Sequence, residues 1–329
     1  MPQYCPAEPV VAVTRLPEPA TDVFVNTHPF ETPGEKARSV FGGYLLGQCV
    51  AAAQQTVPDT HDVHSLQSTF LLPANPNEKV AYHVERLSDG RSFSSRLVRA
   101  IQGGNIVHFT AIVGFQKRSD DDIVAARTPT PPKLNYHEAM PQFGHGDPDD
   151  VDPDSAQACL VEGGFPKEML DLWRDPFQWR ILPRDRQIGQ PINTSTDLNP
   201  PSFRMQSFVR VHPDAMPPNA TSTSSSRATH LALLAFLSDL FLIYTTNLAT
   251  ARPVTAFSIE TTMNHTVWFH APDVQLDGWL ACERDTSWAD DGRVLIRQRL
   301  WRRSDGRLVM SCVQEALARL QKPNPSSSL

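Results

Sequence analysis

Residues 41–57, FGGYLLGQCVAAAQQTV, are good helix formers behind a glycine pair and are apolar around most of the helical circumference. A helix with so little polar face needs apolar cover on nearly every side. The following sequence can supply it. Four stretches of strand character, 64–72, 80–87, 92–101 and 106–115, are separated by Pro-Ala-Asn-Pro-Asn, Ser-Asp-Gly-Arg and Gln-Gly-Gly-Asn, all sequences that reverse a chain. An antiparallel meander wrapped around a single helix is the simplest way to bury both.

The same order recurs downstream. A second apolar helix is predicted over 229–246, with strands at 258–269, 278–284, 293–301 and 308–317. Asp89-Gly90-Arg91 recurs as Asp291-Gly292-Arg293 and Gly104 as Gly306, an offset of 202, and His64-Ser65 recurs as His265-Thr266 at 201. Similar spacing and matching element order argue for an internal duplication. The expected fold is α+β, a double hotdog whose two sheets pair edge to edge and so protect their edge strands. Between the copies, prolines recur with Asp, Asn, Ser and Thr, as in RTPTPPK and GDPDDVDPDS, where regular structure is hard to sustain. The predicted organisation is an N-terminal repeat over 1–118, a proline-rich connecting segment over 119–200, a C-terminal repeat over 201–321 and a tail over 322–329.

Composition narrows the function classes. A formal charge of −6 and pI near 6.0 disfavour a protein that grips nucleic-acid backbone. The five cysteines are odd in number and have no C-x-x-C spacing, which indicates neither a disulfide framework nor a structural zinc site. No basic segment followed by an apolar run opens the chain, and the apolar segment 231–244 falls short of the roughly 20 residues that span a bilayer. No membrane span is expected.

Two polar residues are out of place. Asp239, in ALLAFLSDLFLIY, has apolar neighbours on every helical face, so its carboxylate must be paired, hydrogen-bonded, protonated or open to a wet pocket. It could be a general base with a raised pKa, or it could mark a helix kink or an ion pair with an arginine. Gln314, in VMSCVQEALA, shares a strand face with Met310, Cys312 and Ala316, where an amide needs partners, structural or functional. Thr262 offers a hydroxyl on a β-rich stretch where threonine is common. His265 and His270, like His61 and His64, lack a third ligand at a metal-site spacing and read as packing residues. A G-x-S-x-G elbow is absent, and the glycines at 42 and 43 lack dinucleotide spacing. They suit a helix start lying close to another backbone or to a ligand, with amides able to face a developing oxyanion.

VFGGYLLGQCVAAAQQTVP with DVHSLQSTFLLPANP, then VERLSDGRSFSSRLVRAIQGGNIVHFTAIVGFQ, LSD, NHTVWFH and VMSCVQEA, resemble the type II acyl-CoA thioesterases, the TesB-like family, over 38–117 and 203–320. The resemblance implies hydrolysis of fatty acyl-CoA to free acid and CoA, with no metal or other cofactor. In that family an aspartate on the second central helix, a serine or threonine on the next strand and a glutamine on the last strand hold the attacking water. These positions fall on Asp239, Thr262 and Gln314. Gly42, Gly43 and His265 are the candidates for holding substrate. The first repeat lacks this equipment, since no acidic residue lies between Gly42 and Thr56 and the offset of 202 pairs Gln314 with Ile112. Asn264 stands where the family usually has aspartate, and Tyr44 where glutamine is common, which bears on acyl preference. The alternatives are a non-catalytic acyl-CoA-binding protein and a thioesterase for a specialised, polyketide-type product; a hydratase would want an early Asp and His pair. A homo-oligomer is expected. The closing Ser-Ser-Leu is a degenerate form of the peroxisomal Ser-Lys-Leu signal, so the compartment is peroxisomal or cytoplasmic.

Overall fold

A computed structural model describes residues 5–32, 38–118, 134–143, 146–167, 170, 175–182, 199–215 and 224–322. Much of the expected connection and the tail from 323 onward lie outside these residues.

Helix α1 (Ala7–Val11), β1 (Val13–Arg15) and β2 (Val23–Asn26) precede the first long helix, α2 (Gly42–Gln54). The first meander follows as β3 (His61–Phe70), β4 (Ala81–Asp89), β5 (Phe93–Gln102) and β6 (Ile106–Lys117). Then come α3 (Ser155–Glu162), β7 (Phe177–Ile181), β8 (Met205–Val211), α4 (Ser224–Asp239) and α5 (Tyr244–Ala249). The second meander is β9 (Phe257–Phe269), β10 (Leu280–Asp290), β11 (Arg293–Arg302) and β12 (Leu308–Leu320).

The twelve strands among the described residues form one antiparallel sheet in the order β1-β2-β4-β5-β6-β3-β9-β12-β11-β10-β8-β7. Its two halves meet at β3 and β9, where Ser65 faces Trp268 and Thr69 faces Asn264. The halves mirror one another down to their outer strands: β1 and β2 flank β4 as β7 and β8 flank β10. β7 and α3 both fall inside the segment read as a connection.

The sheet curls over α2 and α4, and Leu45, Leu46, Cys49, Val50 and the run Leu231–Leu237 are buried with the inner strand residues in one core. Each fully buried leucine or phenylalanine contributes about 2 kcal/mol. The fully buried amide on the apolar α2 is satisfied, because Gln48 donates to the Val10 carbonyl at 3.0 Å and accepts from Tyr82 at 2.8 Å. The stretch Arg227–Ala249 is long and apolar enough to cross a membrane, and it is buried inside the fold as a core element.

Three details differ from the sequence reading. The second helix is not continuous over 229–246; α4 stops at Asp239, and Phe241 adopts a left-handed backbone with φ of 54°. The buried Arg284 guanidinium accounts for the break, since it donates to the carbonyls of Leu240 at 2.9 Å and Phe241 at 3.2 Å, which a continuing helix would use internally. The repeat offset is also smaller along the strands. The bulge between Val63 and Ser65 on β3 corresponds to that between Thr262 and Asn264 on β9, which makes Val63 the counterpart of Thr262 and Leu66 that of His265. The counterpart of Gln314 is then Val113 rather than Ile112, the same apolar outcome one residue along.

Candidate active site

The N-terminus of α2 and the C-terminus of α4 meet at one end of the helix layer. Glycine is required there. A Cβ on Gly43 would lie 2.7 Å from the Phe236 carbonyl, and one on Gly47 would lie 2.9 Å from that of Ala232. This close crossing puts the first turn of α2 against the carboxylate that ends α4.

Asp239 is 7% exposed. Thr262, on β9, donates its hydroxyl to Asp239 Oδ1 at 3.3 Å, and the Gly43 backbone amide donates to the same carboxylate. Burial pushes the carboxyl up to about 6, while the two hydrogen bonds and the charge of Arg284 pull the other way. A carboxylate that titrates near neutrality and stays ionised above it is suited to accept a proton from water.

Asp239 and Thr262 line a cavity of about 550 Å³ whose other walls include Phe41, Leu45, Phe70, Phe165 and Phe241. The space is apolar with a few polar groups at one side, as expected for a site that takes a mainly hydrocarbon ligand.

Gln314 is not on this wall. It is fully buried on β12, and its Oε1 lies 2.8 Å from His265 Nδ1. His265, also fully buried, has Nε2 2.8 Å from Ser238 Oγ, on the residue before Asp239. Burial pushes the imidazole down to about 4, so it is neutral. Because Oε1 can only accept, the single ring proton sits on Nδ1, and the one hydroxyl proton of Ser238 is shared between His265 Nε2 and the Ala235 carbonyl, 2.7 Å from Oγ. Gln314 Nε2 is then a buried donor with no partner among the described residues. None of the described contacts joins Gln314 directly to Asp239 or Thr262; the connection runs through His265 and Ser238. The other four sequence candidates therefore separate by place. Gly42 and Gly43 touch Asp239, His265 bridges two side chains inside the protein, and Gln314 stands behind it.

The sequence reading did not single out Ser238, Arg284 or Glu260. Ser238 was visible only as part of the Leu-Ser-Asp motif. Arg284 carried no sequence signal, because two of its partners are main-chain carbonyls and the third, Gln298 at 2.5 Å, lies across the β10–β11 pairing. Glu260 could have been found by alternation, since it precedes Thr262 by two on the same strand and also lines the cavity. Asn264 is exposed and bridges Thr69, at 2.9 Å, to Glu315, at 2.8 Å, where a second carboxylate would face Glu315 with like charge. Tyr44 is buried, its hydroxyl accepting from the Glu31 amide at 3.1 Å.

The model of the acyl-CoA thioesterase N-terminal domain matches residues 32–116, and that of the acyl-CoA thioesterase C-terminal domain matches residues 148–318. Acyl-coenzyme A thioesterase 8 of Mus musculus is 30% identical over 298 residues, covering 89% of this chain and 83% of the relative. Peroxisomal acyl-coenzyme A thioester hydrolase 1 of Saccharomyces cerevisiae is 25% identical over 305 residues, 85% of each chain. Among solved structures, an acyl-CoA thioesterase II from Mycobacterium marinum shares the fold with a TM-score of 0.69 at 23% identity, covering 96% of this chain and 99% of that one.

Proposed function

Since this chain is a member of the type II acyl-CoA thioesterase family and hydrolyses acyl-CoA to free acid and CoA, we propose that it does so with a water activated by Asp239 and no covalent acyl-enzyme. The observation that carries the mechanism is the Asp239 carboxylate, raised to about 6 and held by Thr262 on the wall of an apolar cavity.

A thioester carbonyl is electrophilic and thiolate is a fair leaving group, so a positioned water with a base suffices. Asp239 takes the proton as the water oxygen attacks the carbonyl carbon. Thr262 fixes the carboxylate and orients the water, and Gln314 supports the site from behind, through His265 and Ser238, the residue before Asp239. The tetrahedral oxyanion gains from the positive end of α2, where backbone donors are typically worth about 3 kcal/mol each. On collapse the carbon–sulfur bond breaks, CoA leaves as thiolate, and the proton on Asp239 returns to the sulfur. Gly42 and Gly43 then serve the site by allowing the close approach of α2.

Thiol release from a panel of acyl-CoAs tests this reading. Hydrolysis by the wild type that falls by two to four orders of magnitude in Asp239→Asn supports it. Tight acyl-CoA binding without any thiol release would favour the non-catalytic binding protein.

The compartment belongs to the same proposal. One relative, the Saccharomyces cerevisiae hydrolase, is named peroxisomal, and the Ser-Ser-Leu read as a degenerate signal lies outside the described residues. The reading is a peroxisomal or cytoplasmic enzyme; a fluorescent N-terminal fusion that enters peroxisomes only with the last three residues intact decides for the first, and one that stays diffuse regardless of them decides for the second. A homo-oligomer is the expected assembly, and light scattering at the mass of one chain would exclude it.

A further inference from the structure

Glu260 and Thr262 lie two apart on β9, so both point to the helix side of the sheet, and both line the cavity that contains Asp239. The surroundings of Glu260 are poor ones for a carboxylate. The same cavity is walled by Phe165, Leu170, Ile243 and Ile259, and no ion pair among the described residues involves Glu260. Its Oε2 receives one long contact, from Asn247 Nδ2 at 3.5 Å. Its Oε1 is buried and has no hydrogen-bond partner among the described residues.

We propose that Glu260 is a specificity-determining residue that recognises a hydroxyl group on the acyl chain, close to the thioester. The proposal rests on the acyl chain occupying the cavity beside Asp239. A plain alkyl chain laid against Glu260 leaves Oε1 sealed without a partner, which is unfavourable for a polar atom. A hydroxyl removes the conflict. It donates to the carboxylate and accepts from the protonated acid, so it matches the side chain in either state. Both states are present near neutrality, because burial raises the Glu260 carboxyl to about 7. A cationic substituent would pair with the ionised form alone. Two residues of strand span about 6.6 Å, so the matching hydroxyl lies within a few carbons of the carbonyl held near Thr262.

The test compares kcat/KM for acyl-CoAs of one chain length, saturated or hydroxylated at successive carbons from the carbonyl, in wild type, Glu260→Gln and Glu260→Met. The wild type should favour at least one hydroxylated chain by about tenfold or more. Glu260→Gln should keep that preference, because an amide both donates and accepts. Glu260→Met should lose it while continuing to hydrolyse the saturated chain, which also shows that the variant folds. A wild type indifferent to every hydroxyl position, or a methionine variant that keeps the preference, overturns the proposal and leaves the hydrolase mechanism standing. A wild type that hydrolyses no acyl-CoA overturns both.

Discussion

Gly42 abuts Asp239: a methyl group added to its α-carbon would sit 2.5 Å from Oδ2 of the carboxylate and 2.9 Å from the ring of Phe70. The glycine opens the helix of the first half and the aspartate closes the helix of the second, so the site exists only where the two repeats cross. Gly42→Ala should therefore push the carboxylate off Thr262 and lower kcat by on the order of 100-fold. The backbone conformation remains open to alanine, so the melting temperature should change little by comparison. Steady-state kinetics beside a thermal melt checks both, and an alanine variant with full kcat would show that the contact does not position the base.

Asp239 should cost the fold stability at neutral pH. Its carboxyl titrates near 6 in the folded protein against an ordinary value of 3.8. A folded-state pKa raised in this way means stability fully present below 3.8 and lost as pH rises through 6, about 3 kcal/mol in all. Asp239→Asn should melt at a higher temperature than wild type at pH 8, and the gap should close in acid. A lower melting temperature for the asparagine variant at pH 8 would show that the ionised carboxylate is a net stabiliser.

His265 should act through Gln314 and Ser238 rather than on substrate. Removing it in His265→Ala leaves Gln314 Oε1 and Ser238 Oγ without their 2.8 Å partner and opens a void in the core, a loss of about 3 kcal/mol. The kinetic signature is a fall in kcat with KM nearly unchanged, because Ser238 and the adjoining Asp239 have lost the contact that anchors them. A rise in KM alone would make the histidine a substrate contact instead.

The opposite end of the helix layer should be inert. Its counterparts to Thr262 and Gln314 are Val63 and Val113, and Asp62, next to Val63, is occupied by Arg118 at 2.8 Å and by Arg227 of α4 at 3.5 Å. One non-hydrolysable acyl-CoA analogue should bind per chain in calorimetry. Arg227→Gln should leave kcat unchanged and cost less than about 1 kcal/mol, since the arginine is partly exposed and Asp62 retains Arg118. Two analogues per chain would contradict the single-site account.

The fold was largely legible because its strongest signals are local. The two apolar helices and the turn sequences after them gave the long elements and the wrapping of sheet around helix. β1, β2 and β8 were not read, because they are short strands toward the two ends of the sheet, and the pairing of β2 and β8 depends on the distant meander strands β4 and β10. At the site, Asp239 and Gln314 announced themselves as polar groups in apolar runs. The end of α4 at Asp239 was invisible, since it is set by Arg284 reaching back from β10 to two carbonyls. The link from Gln314 to His265 was equally hidden, because it depends on the register of β12 against β9.

The most direct test of the mechanism is the pH dependence of kcat/KM for wild type and Asp239→Asn with a single acyl-CoA. The wild type should lose activity in acid through one titration near pH 6. Asp239→Asn should be slower by about 10²- to 10⁴-fold and should have lost that titration. An asparagine variant that hydrolyses acyl-CoA at the wild-type rate, or that keeps the same acid limb, would contradict the assignment of Asp239 as the base.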